Sequence, residues 1–253
     1  MNFIVLDTET LSIDENGYHC YDVGYIVFDS ETKTPLVSRQ KVNSLIFDNP
    51  ILWSMAYYKD NRSKYNNVDA CTFAQIMEML SQDIKEYNVE NIFAYNCDFD
   101  KRIIAQNCDF YEIPNPTTDV KWQDIMDYAT IYTDTDNYRE FCDEYQYYTS
   151  SKAYYRVNEE TVYRFLTKKN DYKEEHTALE DAIDEAYILF RCLAKGADCN
   201  NPPKPKRFML RENYAKPYSV YVNKQIVREG LASKITYKKE EGKIYITEVV
   251  SNG

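Results

Sequence analysis

Three short segments hold the residues able to do chemistry. Ile4-Val5-Leu6-Asp7-Thr8-Glu9-Thr10 ends an apolar run in two carboxylates spaced two apart. Ala94-Tyr95-Asn96-Cys97-Asp98-Phe99-Asp100 ends a second apolar run in carboxylates. His176-Thr177-Ala178-Leu179-Glu180-Asp181 sets a histidine five residues before an aspartate. Clustered carboxylates are costly unless a cation holds them together. Mg²⁺ and Mn²⁺ prefer oxygen ligands and leave room for water and phosphate oxygens. Four carboxylates brought together from three segments suit two such ions about 3.5–4 Å apart, the arrangement that clamps attacking and leaving oxygens in phosphodiester hydrolysis. A histidine beside them points to hydrolysis rather than metal storage, because imidazole accepts a proton near neutral pH.

The elements that must position these groups are partly readable. Residues 3–7 form a short branched apolar run, the pattern of a buried strand. Asp7 and Glu9 are then i and i+2 and project from one face. Segments 22–28 and 36–47 read as two further strands separated by turn-forming residues, giving an N-terminal antiparallel meander. Phe73, Ile76, Met77, Leu80 and Ile84 recur at helical spacing, predicting a helix over 73–87. Residues 91–95 read as a strand that places Asp100 at its end, and a helix starts over 100–105. By spacing alone Asp98 and Asp100 share a face, and either could serve as ligand. The stretch 128–163 has room for one or two short helices. Thr177 with Glu180 matches a capping box opening a helix that runs to Gly196 and carries Asp181 in its first turns. His176 stands just before it. Strands followed by mixed strand and helix predict an α/β fold around one sheet.

Composition narrows the class. A chain of 253 residues, 44% hydrophobic and 28% charged, fits a soluble globular protein. No apolar run is long enough to span a bilayer, and Met1-Asn2-Phe3-Ile4-Val5-Leu6-Asp7 lacks the basic start of a secretory signal. Seven scattered cysteines and two histidines show no zinc-like spacing, so free thiols in the reducing cytoplasm are expected. The net charge of −11 is uneven. Residues 201–253 carry 11 Lys+Arg against 5 Asp+Glu, leaving 19 against 36 in residues 1–200. An acidic body of −17 thus precedes a basic segment of +6. Between them Asn201-Pro202-Pro203-Lys204-Pro205-Lys206 reads as a linker. Residues 235–247 beyond it read as a β-hairpin turning at Glu240-Glu241-Gly242. Two domains are expected, 1–200 and 201–253.

The three segments together resemble the DEDDh 3′→5′ exonucleases. Asp7-Thr8-Glu9-Thr10 matches the family's D-x-E-T, Asn96 to Asp100 its N-x-x-F-D ending, and His176 to Asp181 its H-x-A-x-x-D. The order is the family's, and the likeness spans about residues 1–197. It implies an RNase H-like mixed sheet flanked by helices, with the basic hairpin as an appendage. It also implies a nuclease that releases nucleoside 5′-monophosphates from single-stranded DNA or RNA 3′ ends. Asp7, Glu9, Asp100 and Asp181 would hold two Mg²⁺ or Mn²⁺, with His176 as general base. The F-D ending selects Asp100 over Asp98. Thr8, Thr10, Leu11, Asn96 and Phe99 would line the substrate, with Leu11 the candidate wedge against the terminal base. The sequence departs from the family where Leu11-Ser12-Ile13-Asp14 replaces a frequent glycine and Tyr95 a frequent His or Gly.

Other features have two readings. Tyr145, Tyr147, Tyr148, Tyr154 and Tyr155 can stack on unpaired bases or fill a half-buried surface. The basic segment can track a phosphate backbone, or dock on a polymerase or on the acidic body. A second copy of the chain is a further partner. A processing subunit of a polymerase complex and a non-catalytic binding module are the rival functions.

Overall fold

A computed structural model describes residues 2–14, 17–198, 234–240 and 243–250. Two compact units emerge, Met1–Arg211 and Glu212–Gly253. The first contains β1 (Asn2–Asp14), β2 (Gly17–Asp29), β3 (Pro35–Asn43), α1 (Ser44–Phe47), α2 (Pro50–Trp53), a 3₁₀ turn (Lys59–Tyr65) and β4 (Ala70–Cys71). There follow α3 (Phe73–Glu86), β5 (Val89–Ala94), α4 (Asp98–Phe110), β6 (Lys121–Asp124), α5 (Ile125–Thr133), α6 (Asp136–Tyr145), α7 (Glu159–Thr167) and α8 (Ala178–Ala194). The second unit contains β7 (Lys234–Glu240) and β8 (Lys243–Val250), paired antiparallel from Lys234↔Val250 to Glu240↔Lys243. The proline-rich linker and residues 241–242 of the expected turn lie outside the described residues.

The six-stranded sheet has the order β4-β3-β2-β1-β5-β6. The β1–β2 and β2–β3 pairs are antiparallel, while β1–β5 and β5–β6 are parallel. This is a mixed α/β sheet with helices on both faces. Alternation along β1 feeds both: Phe3 and Val5 pack with Ala182, Ala186 and Leu189 of α8, while Ile4 and Leu6 pack with Ile76 of α3 and Ile103 of α4. A strand covered on both sides reads as a continuous apolar run, which is why residues 3–6 show no polar alternation. A third, smaller core joins Leu11 and Tyr21 to Ile46, Trp53, Ala56 and Tyr65.

Several elements differ from their sequence-based expectation. The expected strand 36–47 stops at Asn43, whose side chain caps α1 at the Leu45 amide (3.2 Å). The difficult stretch 128–163 holds the end of α5, α6 and part of α7. Most of its tyrosines face inward: Tyr155 is buried, and Tyr147 and Tyr148 pack against the same core. Asp100 lies in the first turn of α4 rather than at a strand end. Thr177 makes no capping bond; the reciprocal capping box is Thr72 with Gln75, at the start of α3. Among the described residues, no helix is long and apolar enough to cross a membrane.

Candidate metal centre

Phe3 and Val5 of β1 face α8, and the same alternation puts Asp7 and Glu9 on the side from which Asp181 arrives. Opposite them on β2 stand Gly24, in register with Asp7, and Asp22, in register with Glu9. Gly24 has a steric duty. A Cβ there would lie 2.1 Å from the Leu179 nitrogen and 2.2 Å from the Ala178 carbon. Only glycine lets the first turn of α8 rest on the β2 backbone. Asp22 completes the junction: its buried Oδ2 accepts from the Ala178 amide (2.9 Å) and from Gln40 Nε2 (3.0 Å). It therefore does for α8 what the expected Thr177 cap does not, satisfying a free amide at the positive end of the helix.

From β5, the chain turns through Asn96, at φ 62°, into α4. The Asn96 amide donates to Asp124 Oδ1 (2.9 Å), which also caps α5 at Met126. Asp100 then reaches Thr8, whose amide and hydroxyl both donate to Oδ1 at 3.1 and 2.7 Å. Asp100 is 1% exposed, whereas Asp98 is exposed on the helix surface.

The described residues contain one triad of potential ligands: Glu9, His176 and Asp181 offer atoms all within 4.8 Å of one another. Asp7 and Asp100 stand outside that triad, and the charge of Asp100 adds to the burial that raises the proton affinity of Asp7. Burial raises Asp7 and Glu9 well above the usual carboxylate range, and neighbouring acids add to it. Burial likewise lifts Asp100 to about 7, against the pull of the Thr8 bonds, and Asp181 to about 8, with Glu174 adding charge repulsion. Among the described residues, no lysine or arginine forms an ion pair with any of these four.

Sequence reasoning missed three acids here. Glu185, one turn after Asp181, is 1% exposed; its Oε1 accepts from the Tyr95 amide (2.8 Å) while Oε2 has no partner. The i, i+4 spacing of Asp181 and Glu185 on a helix was the signal that could have revealed it. Glu174 lies 3.6 Å from His176 Nδ1. Asp22 carries no local signal, since its helix partner is 156 residues away.

The substrate-lining candidates divide. Thr8 and Thr10 are buried, Phe99 is half-buried, and Asn96 is exposed. Leu11 is fully buried in the third core, so in this conformation it offers no face to a nucleotide base.

The donor set fits divalent metal. It is hard oxygen with one imidazole, and the buried Oδ1 of Asp181 and Oε2 of Glu185 have no hydrogen-bond partner. The linkage has a definite sign. A carboxyl with a raised native pKa holds a proton that the unfolded chain releases, so stability falls as pH climbs from the unfolded value to the native one. In EDTA the melting temperature should therefore drop between pH 5 and pH 8, the window ending near the values of Asp100 and Asp181. Millimolar Mn²⁺ should reverse that drop at pH 8. Melting curves indifferent to Mn²⁺ at that pH would remove these acids from metal binding.

No family model matches the sequence, and no curated protein matches it. Its fold, however, is similar to solved structures. The nuclease domain of 3′hExo, a DEDDh family member bound to rAMP, aligns with a TM-score of 0.53 at 12% identity, over 77% of this chain and 92% of that one. A 3′-exonuclease solved in recognition of the 3′ end of histone mRNA stem-loop aligns with a TM-score of 0.50 at 12% identity, over 98% of this chain and 70% of that one. The chain has the RNase H-like fold of the DEDDh 3′-exonucleases.

Proposed function

We propose that this chain is a metal-dependent 3′→5′ exonuclease acting on single-stranded DNA or RNA ends and releasing nucleoside 5′-monophosphates. The observation that carries the reading is the meeting of Glu9, His176 and Asp181, from a strand, a loop and a helix, within 4.8 Å. Asp7 and Asp100 complete the acidic set beside them. Asp7, Glu9, Asp100 and Asp181 are the residues to hold two Mg²⁺ or Mn²⁺. Bound there, the ions supply charge stabilisation to the attacking and leaving oxygens.

The chain's own groups do the rest. Burial lowers the proton affinity of His176, which keeps the imidazole neutral and able to take a proton from water at pH 7. Glu174 places a carboxylate 3.6 Å from Nδ1. Thr8 fixes the Asp100 carboxylate, and Asp22 fixes the helix that delivers Asp181. The basic segment beyond residue 200, with 11 Lys+Arg against 5 Asp+Glu, has the charge to track a phosphate backbone. A non-catalytic binding module would need no such complete set of acids and base.

The test is a product assay on 5′-labelled single-stranded DNA and RNA of one sequence. Shortening from the 3′ end is expected with Mg²⁺ or Mn²⁺ and none with EDTA. Binding without cleavage of either strand, in every metal, would overturn the reading.

A further inference from the structure

The helix it precedes holds His176 by its backbone, whose amide donates to the Asp181 carboxylate; the ring is held from elsewhere. Thr177 contributes no cap, and His176 sits at φ 52°, a left-handed conformation that a residue with a side chain adopts only where its surroundings enforce it. Those surroundings are residues 58–64. Asn61 Nδ2 donates to the carbonyls of Glu175 (2.9 Å) and His176 (3.1 Å). Lys64 Nζ donates to the Glu175 carbonyl (2.6 Å) and pairs with its carboxylate. The Tyr58 ring lies flat on the imidazole, centroids 3.9 Å apart and planes within 5°.

This segment is itself anchored to the acidic strand. The Tyr57 amide donates to the Thr10 carbonyl (3.4 Å), Ala56 bridges to Leu11, and Trp53 Nε1 donates to the Lys59 carbonyl (2.9 Å). It thus ties the loop carrying His176 to the strand carrying Glu9, more than a hundred residues away in sequence.

We infer that Tyr58 is a positioning residue for His176, a flat rest that sets the plane in which the imidazole exchanges its proton. The inference rests on His176 being the base. A face-to-face stack spends neither ring nitrogen, because both point outward in the ring plane, yet it resists tilting. Tyr58 is half-buried and belongs to none of the three hydrophobic cores, so its ring is not there to fill an interior.

The experiment compares Tyr58→Leu, which keeps bulk without an aromatic plane, with Tyr58→Phe, which keeps the plane. Two readouts are taken on the full chain: kcat and KM on a labelled oligonucleotide with Mn²⁺, and the NMR shifts of the imidazole protons. With only His19 and His176 in the sequence, assignment needs one variant, His19→Gln. In Tyr58→Leu, kcat should fall by about 10- to 100-fold, as expected of a misplaced reacting group, with KM within about twofold. The upfield ring-current shift of the His176 protons should disappear. Tyr58→Phe should keep the rate and the shift. A Tyr58→Leu enzyme with native kcat overturns the positioning role. So does one that loses only KM, which would make the ring a substrate contact, and so does a native protein without the upfield shift. A native enzyme that turns over no substrate in any metal instead overturns the reading of the site as a nuclease.

Discussion

Replacing His176 by alanine lowers kcat by about 10²- to 10⁴-fold, the range for loss of a general base, while Mn²⁺ affinity stays within a few-fold of native. The geometry sets up this split. The side chain keeps 33% of its surface exposed, so water reaches it, and a ring nitrogen lies within 4.8 Å of ligand atoms on Glu9 and Asp181. Burial shifts its pKa below the ordinary 6.5, so the proton-accepting form dominates at pH 7. The rate of the native enzyme should rise with pH through a midpoint under that value, because the neutral ring is the active form. The alanine variant should lose that limb. Calorimetric titration with Mn²⁺ separates the two roles open to the residue. Full turnover in the variant excludes the base, and a tenfold loss of metal affinity reassigns the imidazole as a ligand.

The second large effect is expected at Gly24, which touches no substrate. In Gly24→Ala the new methyl meets backbone atoms of residues 178 and 179 at 2.1–2.5 Å, and backbone has no rotamer by which to retreat. Helix α8 must lift from the sheet. Overpacking costs about 1–3 kcal/mol or somewhat more, and the stretched Asp22–Ala178 bond adds about 1–3 kcal/mol of buried, unsatisfied polarity. For a unit of this size the sum lowers the melting temperature by about 10 °C. Asp181 moves with the helix, so the folded fraction should also lose turnover by about 10²-fold. Native melting and native rate in this variant would mean that α8 does not rest on β2 as described.

The acidic centre was legible where chemistry is local, and hidden where it is not. Asp7 and Glu9 could be read from a strand's period of two, and Asp181 from its place in the first turn of a helix. The capping box at Thr177 was misread, although the residue types fit. Ala178 takes its partner from Asp22, and no local pattern announces a bond across 156 residues. The surroundings of Leu11, the candidate wedge, were hidden for a related reason: residues 44–65 fold over it and bury it in a third core. The boundary of β3 slipped because Phe47 continues an apolar pattern that the Asn43 cap interrupts. Glu185 follows Asp181 at helical spacing, but the family pattern ends at Asp181 and carries no information about the next turn.

The bonds that assemble the centre run between distant parts of the chain: Thr8 to Asp100 spans 92 residues, Tyr95 to Glu185 spans 90, and Asp22 to Ala178 spans 156. During synthesis, the first 177 residues therefore carry Asp7, Glu9 and Asp100 without Asp181. Contacts of such long separation form late, after the local hairpin of β1 and β2. A polypeptide still attached to the ribosome, close to the message being translated, thus holds only a partial ligand set. The order of residues along the gene withholds the complete acidic set until α8 has been made.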